Sequence, residues 1–346
     1  MDKLRLLILF GGMSEEHPVS LKSARELSRN LDAAKYDPIY VYIGRDGLWQ
    51  LADSPEEEPQ KTAPVAPWTD RKNKGLVVLT NGRYVLLPVD VAFPMLHGRY
   101  GEDGTVQGIL KMAGIPCVGC GIAASALCMD KSLTYLVAAE AGVRVPRHRV
   151  LYGNGEVTAG GLTYPLFVKP ARSGSSFGVS KVCEPASLPS AVRMARQYDG
   201  KVLLEEAVLG SEVGCAVLGN GSNLLTGALD QIELKGGFFR IHQEAKPEQG
   251  SENATFRVPA PIPEEMRALV IETAKTVYRA LGCRGLARVD QFLTPDGQVV
   301  LNEVNTMPGF TSYSRYPRMM AGAGIPLREV IGRLIALALE VGGDAE

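Results

Sequence analysis

Two apolar runs near the C-terminal end, GLARVDQFL (285–293) and VVLNEVNTMPG (299–309), constrain the fold most strongly. The turn signal Thr294-Pro295-Asp296-Gly297 separates them, so the pair predicts a β-hairpin. Arg288, Asp290, Glu303 and Asn305 interrupt the apolar pattern. Side chains alternate faces along a strand, so Arg288 shares a face with Asp290, and Glu303 with Asn305. A two-residue loop at Pro295 and Asp296 would pair Arg288 with Glu303 and Asp290 with Leu301, placing all four polar groups on one face. A three-residue loop would slip the register and separate them. Two carboxylates and an amide oxygen beside an arginine form a hard oxygen-donor set, suited to Mg²⁺ and too hard for zinc. The alternative is a solvated strand face with surface ion pairs. An asparagine flanking Val304 in a buried-looking run is an odd way to solvate a sheet.

Upstream, strand and helix alternate. LRLLILF (4–10) and DPIYVYIG (37–44) read as strands around the amphipathic helix PVSLKSARELSRNL (18–31). VDVAFPML (89–96), the helix TVQGILKMAG (105–114) and a short strand IPCVG (115–119) continue the pattern, which implies a parallel sheet. Residues 52–75, rich in Pro, Glu and Lys without periodicity, read as a surface excursion. One long helix, about 123–141, carries Met129-Asp130-Lys131. PLFVKPA (165–171) leads into the loop Arg172-Ser173-Gly174-Ser175-Ser176-Phe177-Gly178. A strand at 179–183, a helix at 187–198 and KVLLEEAV (201–208) complete an antiparallel unit. Beyond about 212 an α+β unit holds strands near 213–218 and 224–234, a polar loop at about 235–253, a helix at 263–281, the hairpin and a closing helix at about 326–341. At 346 residues, two or three domains are expected.

Composition excludes several classes. A net charge of −1 gives no case for nucleic acid or an anionic membrane surface. No run reaches membrane-span length and no signal peptide precedes the first strand, so a cytoplasmic protein is expected. Six cysteines (117, 120, 128, 183, 215, 283) sit in apolar contexts and read as buried thiols, although Cys117-Val118-Gly119-Cys120 has redox spacing. The four histidines (17, 97, 148, 242) show no metal-ligand spacing, and no GxSxG motif indicates a serine nucleophile.

Lys169 ends an apolar strand just before the Gly/Ser loop, where a lysine and approachable backbone N–H groups can meet phosphate. GxxxxGK[ST] is absent, so this is not a P-loop. With Lys131, Glu205, Glu212 and the hairpin it makes a parts list for ATP and Mg²⁺.

On these residues the chain resembles the D-alanine–D-alanine ligase family of ATP-grasp enzymes over essentially its whole length. The matching stretches are GGMSEEHPVS (11–20), LHGRYGEDGTVQG (96–108), SALCMDK (125–131), VKPARSGSSFGVSKV (168–182), LARVDQFL (286–293) and LNEVNTMPGFTSYS (301–314). The resemblance implies a mixed α/β and α+β fold. It comprises an N-terminal parallel-sheet, Rossmann-like substrate domain (1–121) and a two-part ATP-grasp fold: a central subdomain (122–211) and a C-terminal one with the metal hairpin and an ω-like loop (212–346).

It also implies roles. Glu16 would hold the amino group of the first D-alanine, with a helix cap as its bland alternative, and His97 would lie nearby. Lys131 and Lys169 would bind ATP phosphates under Ser175 and Ser176. Phe167, Glu205, Glu206, Val208 and Phe239 would surround adenine, Glu212 would take the ribose, and Asn302 and Glu303 would complete the nucleotide site. Asp290, Glu303 and Asn305 would hold two Mg²⁺ ions, with Mn²⁺ able to substitute. Arg288 and the Gly309 N–H would stabilise the tetrahedral intermediate. Tyr313, Ser314 and Arg315 would line the second substrate's carboxylate site.

Within the family the chain resembles most the D-alanine–D-lactate ligases of vancomycin-resistance type. Peptide-forming members place Ala-Lys-Tyr in the ω-like loop; here Ala245-Lys246 precedes Pro247, and the loop offers His242, as ester-forming members do. D-Alanine, D-lactate and a homodimer are the expected partners. A peptide-forming ligase is the near rival. An NAD-dependent dehydrogenase would have to make do with Gly11-Gly12 and no GxGxxG. A non-catalytic nucleotide-binding regulator would leave the three metal ligands without a use.

Overall fold

The computed structural model describes residues 3–57, 63–153, 155–234 and 254–341. Strand Leu4–Gly11 is central to the first sheet, between Tyr36–Ile43 and Val91–Met95, both parallel to it. Its run Leu6 to Phe10 is fully buried, as a parallel strand covered on both faces must be. Trp49–Ala52 adds an antiparallel edge. At the strand's end Gly11 and Gly12 both take positive φ, and a Cβ on Gly11 would lie 2.4 Å from the Ile43 carbonyl oxygen. That turn throws residues 13–16 across the strand ends before helix His17–Asn30 begins.

Three local expectations fail here. The 52–75 excursion contains strand Val65–Trp68, which pairs with Gly75–Thr80, itself paired with Arg83–Pro88. Partner strands create this element, so local periodicity could not reveal it. IPCVG forms no strand, only an isolated bridge from Cys117 to Ala92. The single helix at 123–141 is two helices, Ile122–Met129 and Lys131–Glu140, bent by 106°. Asp130 causes the break: its carboxylate accepts from the Ser132 and Leu133 N–H groups at 3.2 and 3.4 Å, capping the second helix. Lys201 neutralises it at 2.8 Å. The break starts the second helix at Lys131 and aims that lysine at the Gly/Ser loop.

The middle sheet runs Ser180–Val182, Leu166–Pro170, Lys201–Glu206, His148–Tyr152, antiparallel throughout. Its last strand was not legible in the sequence. The largest sheet runs Ala254–Arg257, Asp230–Leu234, Ser211–Asn220, Gly285–Leu293, Val299–Asn305, with Asn223–Thr226 pairing Ser211–Asn220. Helix Glu264–Ala280 buries Val270, Ala274, Val277 and Tyr278 in the core on one of its faces. Helix Leu327–Val341 puts Leu334 and Ile335 into one core with Leu6, Ile8 and Phe10 of the first strand.

The hairpin corrects its predicted register. Gly297 N–H donates to Thr294 O and Thr294 N–H to Gln298 O, so the loop is Pro295-Asp296-Gly297, three residues long. Leu293 pairs with Val299 and Gln291 with Leu301; the register then shifts, and Asp290 pairs with Glu303 and Arg288 with Asn305. Asn302 is the extra residue of a β-bulge. The longer loop slips the strand by one, the bulge slips it by one more in the same direction, and the net offset of two residues keeps all four polar groups on one face.

Candidate active site

One row of the large sheet builds the centre. Asp230, Gly214, Asp290 and Glu303 lie side by side on four neighbouring strands. Arg288, two residues from Asp290 on the same face, forks onto it with Nε at 2.9 Å and Nη2 at 2.7 Å. Asn305 Nδ2 donates to Asp290 at 3.1 Å. Burial would raise the Glu303 carboxyl, but Lys131, Lys169 and Arg288 outweigh it and hold it down at about 2.

The middle sheet supplies the cations. Lys131 Nζ lies 3.4 Å from Glu303 and donates to Ser173 O at 2.8 Å, so it joins the metal face to the Gly/Ser loop. Lys169 pairs with Glu205 at 2.6 Å, and Tyr135 OH lies 2.6 Å from Glu205 and 2.8 Å from the Asn302 carbonyl. Ser175 and Ser176 both take left-handed φ, 50° and 57°. Such strain in non-glycine residues is concentrated at ligand clamps. Ser175 donates to Glu16, closing the loop onto the N-terminal unit. Burial raises the Glu16 carboxyl, the Ser175 hydroxyl opposes this, and Glu303 adds to it.

On the far side, His97 and the residues after the hairpin interlock. His97 Nδ1 lies 2.8 Å from the Met307 carbonyl and Nε2 lies 3.0 Å from Ser23 Oγ. Burial pulls this imidazole down to about 4, so it is neutral, with Nδ1–H donating and Nε2 accepting. Ser314 precedes helix Arg315–Gly322, its hydroxyl 2.6 Å from Thr311 Oγ1 rather than on the helix N–H groups, and a Cβ on Gly309 would lie 2.9 Å from it. Tyr313 is exposed.

Some candidates are engaged elsewhere. Arg315 is buried, held by Asp230 at 2.7 Å, Asp290 at 3.1 Å and Glu212 at 3.4 Å. Glu206 turns from Lys169 toward the Thr163 N–H and Arg147, both at 2.8 Å. Phe167 pairs opposite Glu205 in the middle sheet, and Val208 follows that strand. His242 and Phe239 lie outside the described residues. Sequence reasoning missed Asp230, Tyr135, Gly214 and Glu102; each becomes meaningful only through strand register or a long-range contact.

Against this geometry, two family models match the chain, described as the D-ala D-ala ligase N-terminus over residues 5–120 and C-terminus over 152–336. The chain belongs to the D-alanine–D-alanine ligase family. A relative in Streptomyces coelicolor named putative D-alanine–D-lactate ligase is 60% identical over 98% of this chain and 99% of its own. The vancomycin/teicoplanin A-type resistance protein VanA of Enterococcus faecium is 55% identical over 98% of this chain and all of its own. The solved VanG D-Ala:D-Ser ligase of Enterococcus faecalis is 41% identical, with a TM-score of 0.88 over 97% of this chain and all of its own. The fold is therefore the ATP-grasp fold of this ligase family, an ATP-using family in which a divalent metal is typical.

The donor set fits magnesium. Among the described residues no three His, Cys, Asp or Glu side chains converge as a closed metal cage. Mg²⁺ needs no cage, since one or two carboxylates plus substrate phosphates suffice. Asp290 and Glu303, directly opposite each other beside Asn305, supply that.

Proposed function

We propose that this chain joins D-alanine to D-lactate in an ATP-dependent reaction through an acyl phosphate, giving an ester for peptidoglycan precursors that evade vancomycin. The observation that carries the ester assignment is the 60% identity, over nearly both full lengths, to a relative named for that reaction, against 41% to a D-Ser ligase of the same fold. The absence of a tyrosine after Ala245-Lys246 and the presence of His242 support it.

Asp290, Glu303 and Asn305 would hold two Mg²⁺ ions, or Mn²⁺ in their place, and the bound metal would supply neutralisation of phosphate charge. Glu16 binds the D-alanine ammonium beside His97. Lys131 and Lys169 exchange their carboxylate partners for phosphate oxygens, while Ser175 and Ser176 cover them and exclude water from the activated carboxyl. Phe167, Glu205, Glu206, Val208 and Phe239 enclose adenine, with Glu212 at the ribose. When the D-lactate hydroxyl attacks, Arg288 and the Gly309 N–H face the developing oxyanion. Tyr313 and Ser314 orient the D-lactate carboxylate, while Arg315, committed to Asp230, Asp290 and Glu212, holds Asp290 in place. We assign three units, 1–121, 122–211 and 212–346, a cytoplasmic location and a homodimer. Among the described residues no single helix is long and apolar enough to cross a membrane.

The test is product analysis with ATP, Mg²⁺, D-alanine and D-lactate together at neutral pH. Ester should dominate and ADP release should accompany it. Dipeptide alone would make the enzyme a peptide ligase; no ADP release with D-alanine would remove the ligase reading.

A further inference from the structure

We propose that Glu102 is a positioning residue that couples the two half-reactions by holding the first-substrate loop and the oxyanion loop at a fixed separation. Its carboxylate spans two units of the chain. One oxygen accepts from the Gly98 N–H at 2.7 Å, the other from the Met307 N–H at 2.9 Å. Each anchored residue lies next to one half of the chemistry. A Cβ on Gly98 would sit 2.6 Å from Glu16 Oε2, so that backbone lies against the carboxylate assigned to the D-alanine ammonium. Met307 is two residues from Gly309, whose N–H is assigned to the oxyanion.

A second clamp fixes the same loop from the other side. The Phe310 N–H donates to Ser23 Oγ at 3.3 Å, and that oxygen also lies 3.0 Å from His97 Nε2. Residues 307 and 310 are thus pinned by side chains from the N-terminal unit, on either side of Gly309. A glutamine at 102 keeps size and shape, but its NH₂ must face one of the two N–H donors, so one anchor is lost. The freed loop would still let D-alanine be phosphorylated. It would no longer hold the Gly309 N–H and the second substrate where attack must occur, and the acyl phosphate would pass to water instead.

The inference rests on the ligase reading above, and the wild-type enzyme run alongside separates the two. Wild type should give ADP and ester in equal amounts; a wild type that makes no ester removes the reading itself. Glu102→Gln should release severalfold more ADP than ester. It should raise KM for D-lactate by up to about tenfold, the size expected for one lost hydrogen bond, with KM for ATP unchanged. A variant that loses active fraction or Tm yet keeps ADP equal to ester and KM for D-lactate unchanged would overturn the role of Glu102. Ser23→Ala removes the second clamp and should give the same uncoupling in milder form. Should Glu102→Gln fail to fold, full coupling in Ser23→Ala would overturn the proposal.

Discussion

Arg315 grips Asp230 as a fork, Nε and Nη2 lying 2.7 and 2.8 Å from its two oxygens, while Nη1 reaches Asp290 at 3.1 Å. The two aspartates lie on strands flanking Ser211–Asn220, opposite the same residue, Gly214. The arginine therefore spans a strand that offers no side chain at the crossing point. Burial opposes charge on Asp230, but Arg315 and then Arg288 hold its carboxyl below the usual range. Removing either partner would strand a buried charge.

Gly214→Ala tests that crossing. The new Cβ would lie 2.4 Å from both Arg315 Nη2 and Asp230 Oδ1. Overpacking of this kind costs about 1–3 kcal/mol. A lower Tm is expected, together with reduced turnover as Asp290 is re-aimed; wild-type values for both would refute the packing argument.

Glu303→Gln should leave the fold intact by circular dichroism. It should lower ADP formation by roughly 100-fold or more at ordinary magnesium, because charge neutralisation at the phosphates is worth several kcal/mol. Near-normal turnover would sink the metal assignment.

Stability of the nucleotide-free protein should fall as pH rises. Burial, with Glu16 adding to it, pushes Glu102 up to about 8. Burial raises Glu212 to about 7 against the pull of Arg315. Both folded pKa values lie above the unfolded value of about 4.3, so the folded state holds these protons more tightly. Their contribution is complete below that value and is lost as pH passes through 7 and then 8. Thermal scans should show Tm declining over this window, and Glu212→Gln should flatten the earlier part. A flat wild-type profile would contradict the burial of these carboxyls.

Thiol titration should show one fast cysteine. Cys183 is exposed, contrary to the expectation of six buried thiols, whereas Cys120, Cys128, Cys215 and Cys283 are buried. Cys117 is intermediate in exposure, yet burial pushes its thiol up to about 12. The folded enzyme should stay active in strong reductant; a disulfide between Cys117 and Cys120 required for activity would show the redox reading to be right.

His242 should set substrate choice. The D-alanine amine must lose a proton to attack, whereas D-lactate needs only its carboxylate recognised. A protonated imidazole, with an ordinary pKa of about 6.5, attracts the lactate anion and repels the ammonium. Ester should dominate at neutral pH and dipeptide should gain as pH rises. In His242→Ala, D-lactate use should fall much more than D-alanine use. Equal losses would deny the histidine any discriminating role.

The hairpin shows how far the sequence could be read. Its polar residues share a face as their alternation implied, yet the loop is longer than predicted and a bulge at Asn302 restores the face. Turn length and bulge position depend on cross-strand hydrogen bonds that no local pattern encodes. Motif residues such as Lys131, Glu303 and Ser175 were legible because several chemical signals coincide. Asp230 and Glu102 were not, since each is one carboxylate whose meaning comes from a partner on a distant strand or loop. The break at Asp130 is an intermediate case: an N-cap residue type was visible, but a continuous apolar pattern concealed it.

The core shared by the first strand and the last described helix bears on how the chain folds. Leu6, Ile8 and Phe10 share one core with Leu334 and Ile335. On a ribosome, the N-terminal sheet would emerge with an apolar face that residues from the far end must later cover. Contacts of such long sequence separation slow folding and leave sticky intermediates. Shortening the chain before helix Leu327–Val341 should therefore harm solubility of the N-terminal unit, although the lost helix carries none of the proposed catalytic groups.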